Sequence, residues 1–130
     1  VADSHHATEL AATAGVGVAC RAPWARLLVA GIKTLEVWPT TCLKRQRILV
    51  TQSASGGLIV GSVEVVGSSI VESDAEWRRL SSLHCVALEE RPFGSRTHVW
   101  SLANPIAFSA PLHYSHTTTG SWFHFEPPPP

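Results

Sequence analysis

The chain reads as an α+β domain, a small mixed β-barrel of about five or six short strands with two short helices. Three observations predict this. Short stretches of alternating polar and apolar residues recur between turn signals, most clearly from Leu58 to Val66. Helical periodicity occurs in only two places, after Pro23 and after Ser73. The 130 residues, 45% hydrophobic and 15% charged, suffice for one packed core. A doubly wound parallel sheet would need more helices than these.

Residues 1–15 are small and polar and read as a flexible N-terminal arm. Val16 to Cys20 is the first strand of a domain spanning residues 16–126. Pro23 suits a helix start, and Trp24, Leu27 and Leu28 then share one face of about two turns. Gly31 is placed to end that helix in the left-handed conformation, with Ile32 folding back as an apolar contact. Lys33 to Val37 alternates as a strand, and Trp38-Pro39-Thr40-Thr41 is a turn.

Arg47 to Gln52 is the next strand, with Ile48 and Val50 inward, followed by a loop at Ser53 to Gly57. Leu58 to Val66 is apolar on both faces at its start, which predicts a central strand; Gly61 marks a bend or a close approach of other backbone. Ser73 and Glu76 form a capping box for a helix from about Asp74 to Leu83, striped by Trp77, Leu80 and Leu83. A short strand at Cys85 to Leu88, a turn at Arg91 to Arg96 and a strand at His98 to Leu102 follow. Asn104-Pro105 signals a turn, and Trp122 to Phe125 is a last aromatic strand. Residues 127–130 are a proline-rich tail, extended by its composition.

Formal net charge is zero, yet its distribution is uneven. Residues 21–47 carry Arg21, Arg26, Lys33, Lys44, Arg45 and Arg47 against Glu36 alone, and the opposite excess lies in the rest of the chain. One basic sector can attract phosphate, with an affinity that falls as salt rises. It is equally readable as a chance cluster of surface arginines. Cys20, Cys42 and Cys85 show no paired metal spacing and read as small buried or half-buried residues of a reducing compartment, cytoplasmic or nuclear. The seven histidines, among them His5-His6, His113 and His116, lack cysteine or carboxylate at ligand spacing, so neither metal nor other cofactor is expected. No apolar run is long enough to span a bilayer, and a monomer is expected.

Lys33 and Glu36 fall at the junction of the first helix and the strand after it. Spacing alone leaves them readable as a solvated turn lysine and a rim glutamate. Three residues apart on a strand they would face opposite sides, unless Lys33 belongs to the turn. Glu64, a carboxylate on an otherwise apolar strand, is the other acid that stands out.

Taken in order, APWARLLVAGIKTLE, RQRILVTQSA, GGLIVGSVEVV, VWSLANPIAFSAP and GSWFHF resemble the activating signal cointegrator homology (ASCH) domain over roughly residues 16–125. Pro23-Trp24, Gly31, Lys33, Glu36, Gly57, Gly61, Trp100, Asn104-Pro105, Gly120 and Trp122 stand where that family's recurring elements would. The resemblance implies a barrel like that of pseudouridine synthase and archaeosine transglycosylase (PUA-like). It also implies a cleft beside the helix, lined by Lys33 and Glu36, that takes RNA or a nucleotide. Trp38 stands where many relatives have arginine, and the basic run Lys44-Arg45-Gln46-Arg47 where some have glycine. A bacterial branch hydrolyses acetylated cytidine with lysine, threonine and glutamate; Glu36 holds the place of its nucleophilic threonine, which argues against that mechanism here.

Three functional expectations follow. In a binding module for RNA or single-stranded nucleic acid, Arg21, Lys33, Thr34, Glu36 and the cluster Lys44, Arg45 and Arg47 would line the ligand's path, with Trp24, Trp38 or Trp122 stacking a base. Trp24 and Trp100 read more readily as core, and Trp38, beside proline in a turn, as the exposed face. In a nucleotide- or RNA-directed hydrolase, Lys33 would hold phosphate or act as a base while Glu36 or Glu64 moves protons. The proline-rich end suggests the third, a protein-interaction module of a larger coactivator-like protein.

Overall fold

The computed structural model describes residues 1–53, 57–113, 115–119 and 122–126. The proline-rich tail and the tip of the loop before Leu58 lie outside that set. Helix α1 (Ser4–Ala14) comes first, then strand β1 (Val16–Cys20), helix α2 (Trp24–Val29), and strands β2 (Leu35–Trp38), β3 (Arg47–Gln52) and β4 (Leu58–Ile70). Helices α3 (Asp74–Arg79) and α4 (Ser81–His84) and a 3-10 turn (Gly94–Arg96) lead to strands β5 (His98–His113), β6 (Ser115–Thr119) and β7 (Trp122–Glu126).

The strands form one seven-stranded sheet in the order β2-β5-β4-β3-β1-β7-β6. Among these strand pairs β1 and β3 run parallel and the others antiparallel. The ladder is open, with β2 and β6 at its edges, so the α+β class is as expected while hydrogen bonding does not close the barrel. The sheet nonetheless curls. Trp100 of β5 stacks on Trp122 of β7 with ring centroids 5.6 Å apart, although three strands lie between them in the ladder. Trp38 of β2 stacks on the same indole at 5.2 Å. Three near-parallel tryptophans thus bridge the seam that hydrogen bonds leave open.

Length explains the curl. β4 and β5 run for 13 and 16 residues, and their pairing shifts register between Ile59 and Gly61, Ser62 and Glu64, and Val65 and Gly67. Each irregularity adds local twist. Asn104, at φ 48°, takes the left-handed conformation inside β5, so Asn104-Pro105 is a bend within one strand, where the sequence suggested a turn between two. Gly61 is there for space: a Cβ would lie 2.4 Å from the Ile106 carbonyl oxygen and 2.5 Å from Val29 of α2. The predicted close approach is real, and it seats α2 against the sheet.

Both faces of the sheet are covered. Val18, Ile48, Val50, Val63, Val65 and Trp100 pack under Leu28 and Val29 of α2. On the opposite face Leu49, Ile59, Phe108 and Phe125 pack under Ala7 and Ala11 of α1. Residues 4–14 are therefore not the flexible arm suggested by their composition. Asp3 accepts the His6 backbone N–H at its N-cap, Gly15 ends the helix at φ 69°, and the buried face is alanine. Alanine gives the helix its propensity without the apolar stripe by which amphipathic helices are recognised.

The helix foreseen after Ser73 is broken at Leu80 into α3 and α4. Its capping box is half reciprocal: Ser73 Oγ accepts the Glu76 N–H at 3.0 Å, while the Glu76 carboxylate reaches back to the Glu72 N–H. Trp77 is fully buried with Leu35, Val71 and Val99. The stretch Cys85 to Leu88 forms no strand.

Candidate functional site

The end of α2 sets up the site. Gly31 takes φ 77°, its N–H donates to Leu28 O at 3.2 Å, and the Ile32 N–H donates to Leu27 O at 3.0 Å. This is the paired-bond helix stop that glycine permits. Ile32 makes no apolar fold-back and stays 61% exposed, contrary to expectation. The Lys33 N–H also returns to Leu27 O, at 3.1 Å, so Lys33 belongs to the turn and β2 begins two residues later. That frees Lys33 from strand alternation, and its side chain shares a side with Glu36.

Lys33 is 1% exposed. Its ammonium donates to the His84 carbonyl, stands 3.7 Å from Glu36 Oε1 and lies 5.9 Å from the centroid of the Trp24 ring. Glu36 Oε1 also accepts the Val37 N–H at 3.1 Å, and Oε2 accepts the Cys20 thiol at 2.8 Å. Lysine, glutamate and cysteine thus meet from α2's end, β2 and the end of β1. Burial holds the Lys33 ammonium below its usual pKa, against the opposing pull of Glu36. Burial pushes the Cys20 thiol well up, and the Glu36 charge and hydrogen bond add to the rise.

His84 anchors the group from below. It is fully buried and stacked on Trp77, 3.6 Å between ring centroids. Nδ1 accepts the Val86 N–H at 3.0 Å, which requires an unprotonated Nδ1, so the proton sits on Nε2 and is donated to Trp77 O at 2.9 Å. The ring is neutral. Burial lowers its pKa, the hydrogen bond to Trp77 opposes, and nearby Lys33 lowers it further.

Above these residues opens a cavity of about 530 Å3, within the usual size range of small-molecule sites. Trp24, Trp38, Pro39, Val86, Leu88, Pro92 and Phe93 line it; Arg21 joins the lining and is exposed. Five of the residues singled out from sequence converge here: Arg21, Trp24, Lys33, Glu36 and Trp38. Trp24, expected in the core, is half-buried; Trp100 is core, as expected. Trp38, expected to be exposed, is half-buried in the indole stack, and its Nε1 is buried with no hydrogen-bond partner.

Thr34 lines a smaller cavity of about 120 Å3 beside Lys33. Its backbone pins β2, donating to Leu83 O and accepting from the Leu102 N–H, both at 3.0 Å.

Glu64 is not in the cavity. It sits opposite Arg47 in the β3–β4 ladder, where Arg47 Nη2 meets it at 3.1 Å and Asn104 Nδ2 donates to it at 3.1 Å. Arg47 also bonds Ser62 Oγ and Asn104 O, which makes the pair a brace for the bend in β5. Arg45 donates to the carbonyls of Cys42 and Lys44. Lys44 lies 5.0 Å from the Trp122 ring centroid, at the far end of the indole stack from the cavity.

Phe93 and Cys20 of the lining, and His84 beneath it, are members that sequence reasoning missed as site residues; the last two lie by the charged pair. Each meets Lys33 or Glu36 across a gap in sequence, Cys20 by 16 residues and His84 by 51, and no local pattern announces such contacts.

An open, curled mixed sheet with a short helix across it, and a lysine and a glutamate at the floor of the larger described cavity, defines a small α+β domain with a recess beside that helix. Residues 18–112 match the ASCH domain family, and the chain belongs to it. ASCH from Zymomonas mobilis has a similar crystal structure: TM-score 0.65 at 13% identity, over 75% of this chain and 72% of that one. Two point mutants of that protein give TM-scores of 0.64 at the same identity, covering 72% and 74% of their chains. At such identity the likeness is one of fold. Comparison with curated protein sequences gives no match. No helix among the described residues is long and apolar enough to cross a membrane.

Proposed function

We propose that the chain binds RNA or a single nucleotide, with one base seated in the cavity over Lys33 and Glu36. The observation that carries this reading is the cavity's make-up: aromatic side chains Trp24, Trp38 and Phe93, a polar floor of one donor and one acceptor group, and an exposed Arg21 at the lining. An unstacked base needs those three things: a π-face, an edge partner and a cation for phosphate. Lys44 and Arg45, beyond the tryptophan stack, would extend phosphate contact along a strand.

Binding to single-stranded RNA, nucleotides, modified nucleosides and DNA at two salt concentrations tests it. Expected is salt-sensitive binding to at least one of these, reduced by Glu36→Ala; indifference of every one to Lys33→Ala and Glu36→Ala would remove the cavity from the account.

A hydrolytic reading has one observation in its favour, the Cys20 thiol donating to the Glu36 carboxylate, a nucleophile beside a base. The raised pKa of that buried thiol weighs against it, because the thiolate is the reactive form.

A further inference from the structure

We infer that the cavity prefers guanine among the four RNA bases, with Lys33 donating to the O6 carbonyl and Glu36 accepting from N1–H and the exocyclic amine. The inference rests on the nucleotide reading above and names the base it selects.

It begins with unused hydrogen-bonding capacity. An ammonium has three donors; Lys33 gives one to His84 O, and its 3.7 Å approach to Glu36 Oε1 is an ion pair longer than a hydrogen bond, so donor capacity remains. A carboxylate has about four acceptor sites. Val37 N–H occupies one on Oε1 and the Cys20 thiol one on Oε2, while the Lys33 ammonium, 3.7 Å from Oε1, pairs with it beyond hydrogen-bond length, so each oxygen keeps one site. Those two protein contacts also fix the plane of the carboxylate. Both side chains line the cavity, Glu36 with 11% exposure and Lys33 with 1%.

The floor therefore offers a donor beside two acceptors. Guanine's Watson–Crick edge is the complement: one acceptor, then two donors. Uracil presents a single N–H between two carbonyls, and adenine and cytosine present one amine beside a ring acceptor, so each can use only one Glu36 oxygen in the plane of the base. A purine also offers the lining rings Trp24 and Phe93 more apolar area to pack against than a pyrimidine does. Cys20 is on this account a positioning residue, holding Glu36 in the orientation that makes both oxygens available.

Calorimetric titration of the whole chain with GMP, IMP, AMP, CMP and UMP decides it. IMP lacks only the exocyclic amine, so it isolates the second Glu36 contact. GMP is expected to bind tightest, IMP about tenfold more weakly, and Glu36→Gln to bring GMP down at least to the level of IMP, because an amide offers one acceptor oxygen and turns an N–H donor toward guanine's other donor. The GMP to IMP ratio on the unaltered chain decides the matter even if the variant does not fold. Equal affinity for GMP and IMP, or tighter binding of another nucleotide, overturns the guanine preference alone. Binding of none of the five overturns the preference together with single-nucleotide binding.

Discussion

Lys33 is the side chain on which the floor of the cavity depends. Taken from water, its charge is compensated by one carbonyl, one carboxylate and one indole ring. Removing a single member of such a pair leaves the other charge buried and alone, a cost of about 3–5 kcal/mol. Lys33→Met is accordingly expected to lower unfolding stability in urea by an amount of that order, and Lys33→Met with Glu36→Gln to recover much of it. His84 supplies a pH test. Its folded pKa lies below the ordinary 6.5, so the unfolded chain takes up a proton that the folded one refuses. Stability contributed by the neutral ring is whole above that pH and falls as pH drops below it. His84→Gln should show a smaller loss between pH 7.5 and 5.5 than the unaltered chain, measured by urea denaturation; equal losses would mean that His84 is not the group responsible. Lys33 and Glu36 were singled out through the resemblance to the ASCH domain, because their spacing alone left them readable as surface charges. Cys20 and His84 were not, since only the folded sheet brings them near.

Gly61 decides how α2 meets the sheet. Alanine there would drive a Cβ into the Ile106 carbonyl and into Val29, neither of which can swing aside. Gly61→Ala is expected to cost about 1–3 kcal/mol and, by shifting α2, to loosen the cavity as well. Gly67→Ala is the control, because its Cβ would meet the Ser101 side chain at an ordinary 3.5 Å. Thermal melts of the two variants give the comparison, and equal melting temperatures would contradict the packing account. Elements whose signals are local were readable in advance: the strands Val16 to Cys20 and Arg47 to Gln52, the glycine stop after α2, and the Ser73 cap. α1 was missed because two buried alanines give no contrast with a polar arm. The Asn104-Pro105 pair was misjudged because the same residues serve a turn between strands and a bend within one.

The molecule as a whole carries its excess of cations on one stretch of sequence, yet the fold divides them. Arg47 is committed to Glu64, whereas Lys44 and Arg45 have no carboxylate partner among the described residues. Replacing Lys44 and Arg45 by alanine should therefore weaken RNA binding and flatten its dependence on salt, by about 0.7 in the log–log slope for each single-strand phosphate that goes unneutralised. Filter binding across a salt series would measure it, and an unchanged slope would exclude both side chains from phosphate binding. The α+β class was legible from alternation and length. The open seam was not, because it depends on which strands fail to pair, and no local sequence pattern shows a missing partner.

That seam has an optical consequence. Trp38, Trp100 and Trp122 lie 5.2 and 5.6 Å apart with planes tilted by 14° and 13°, so their transition dipoles couple as one chromophore. Such an array has a circular dichroism signature unlike that of isolated indoles. Since Trp38 lines the cavity and Trp122 belongs to β7, that signature reports from inside the fold, without an added label, on whether occupancy of the recess spreads or tightens the gap between the two ends of the sheet.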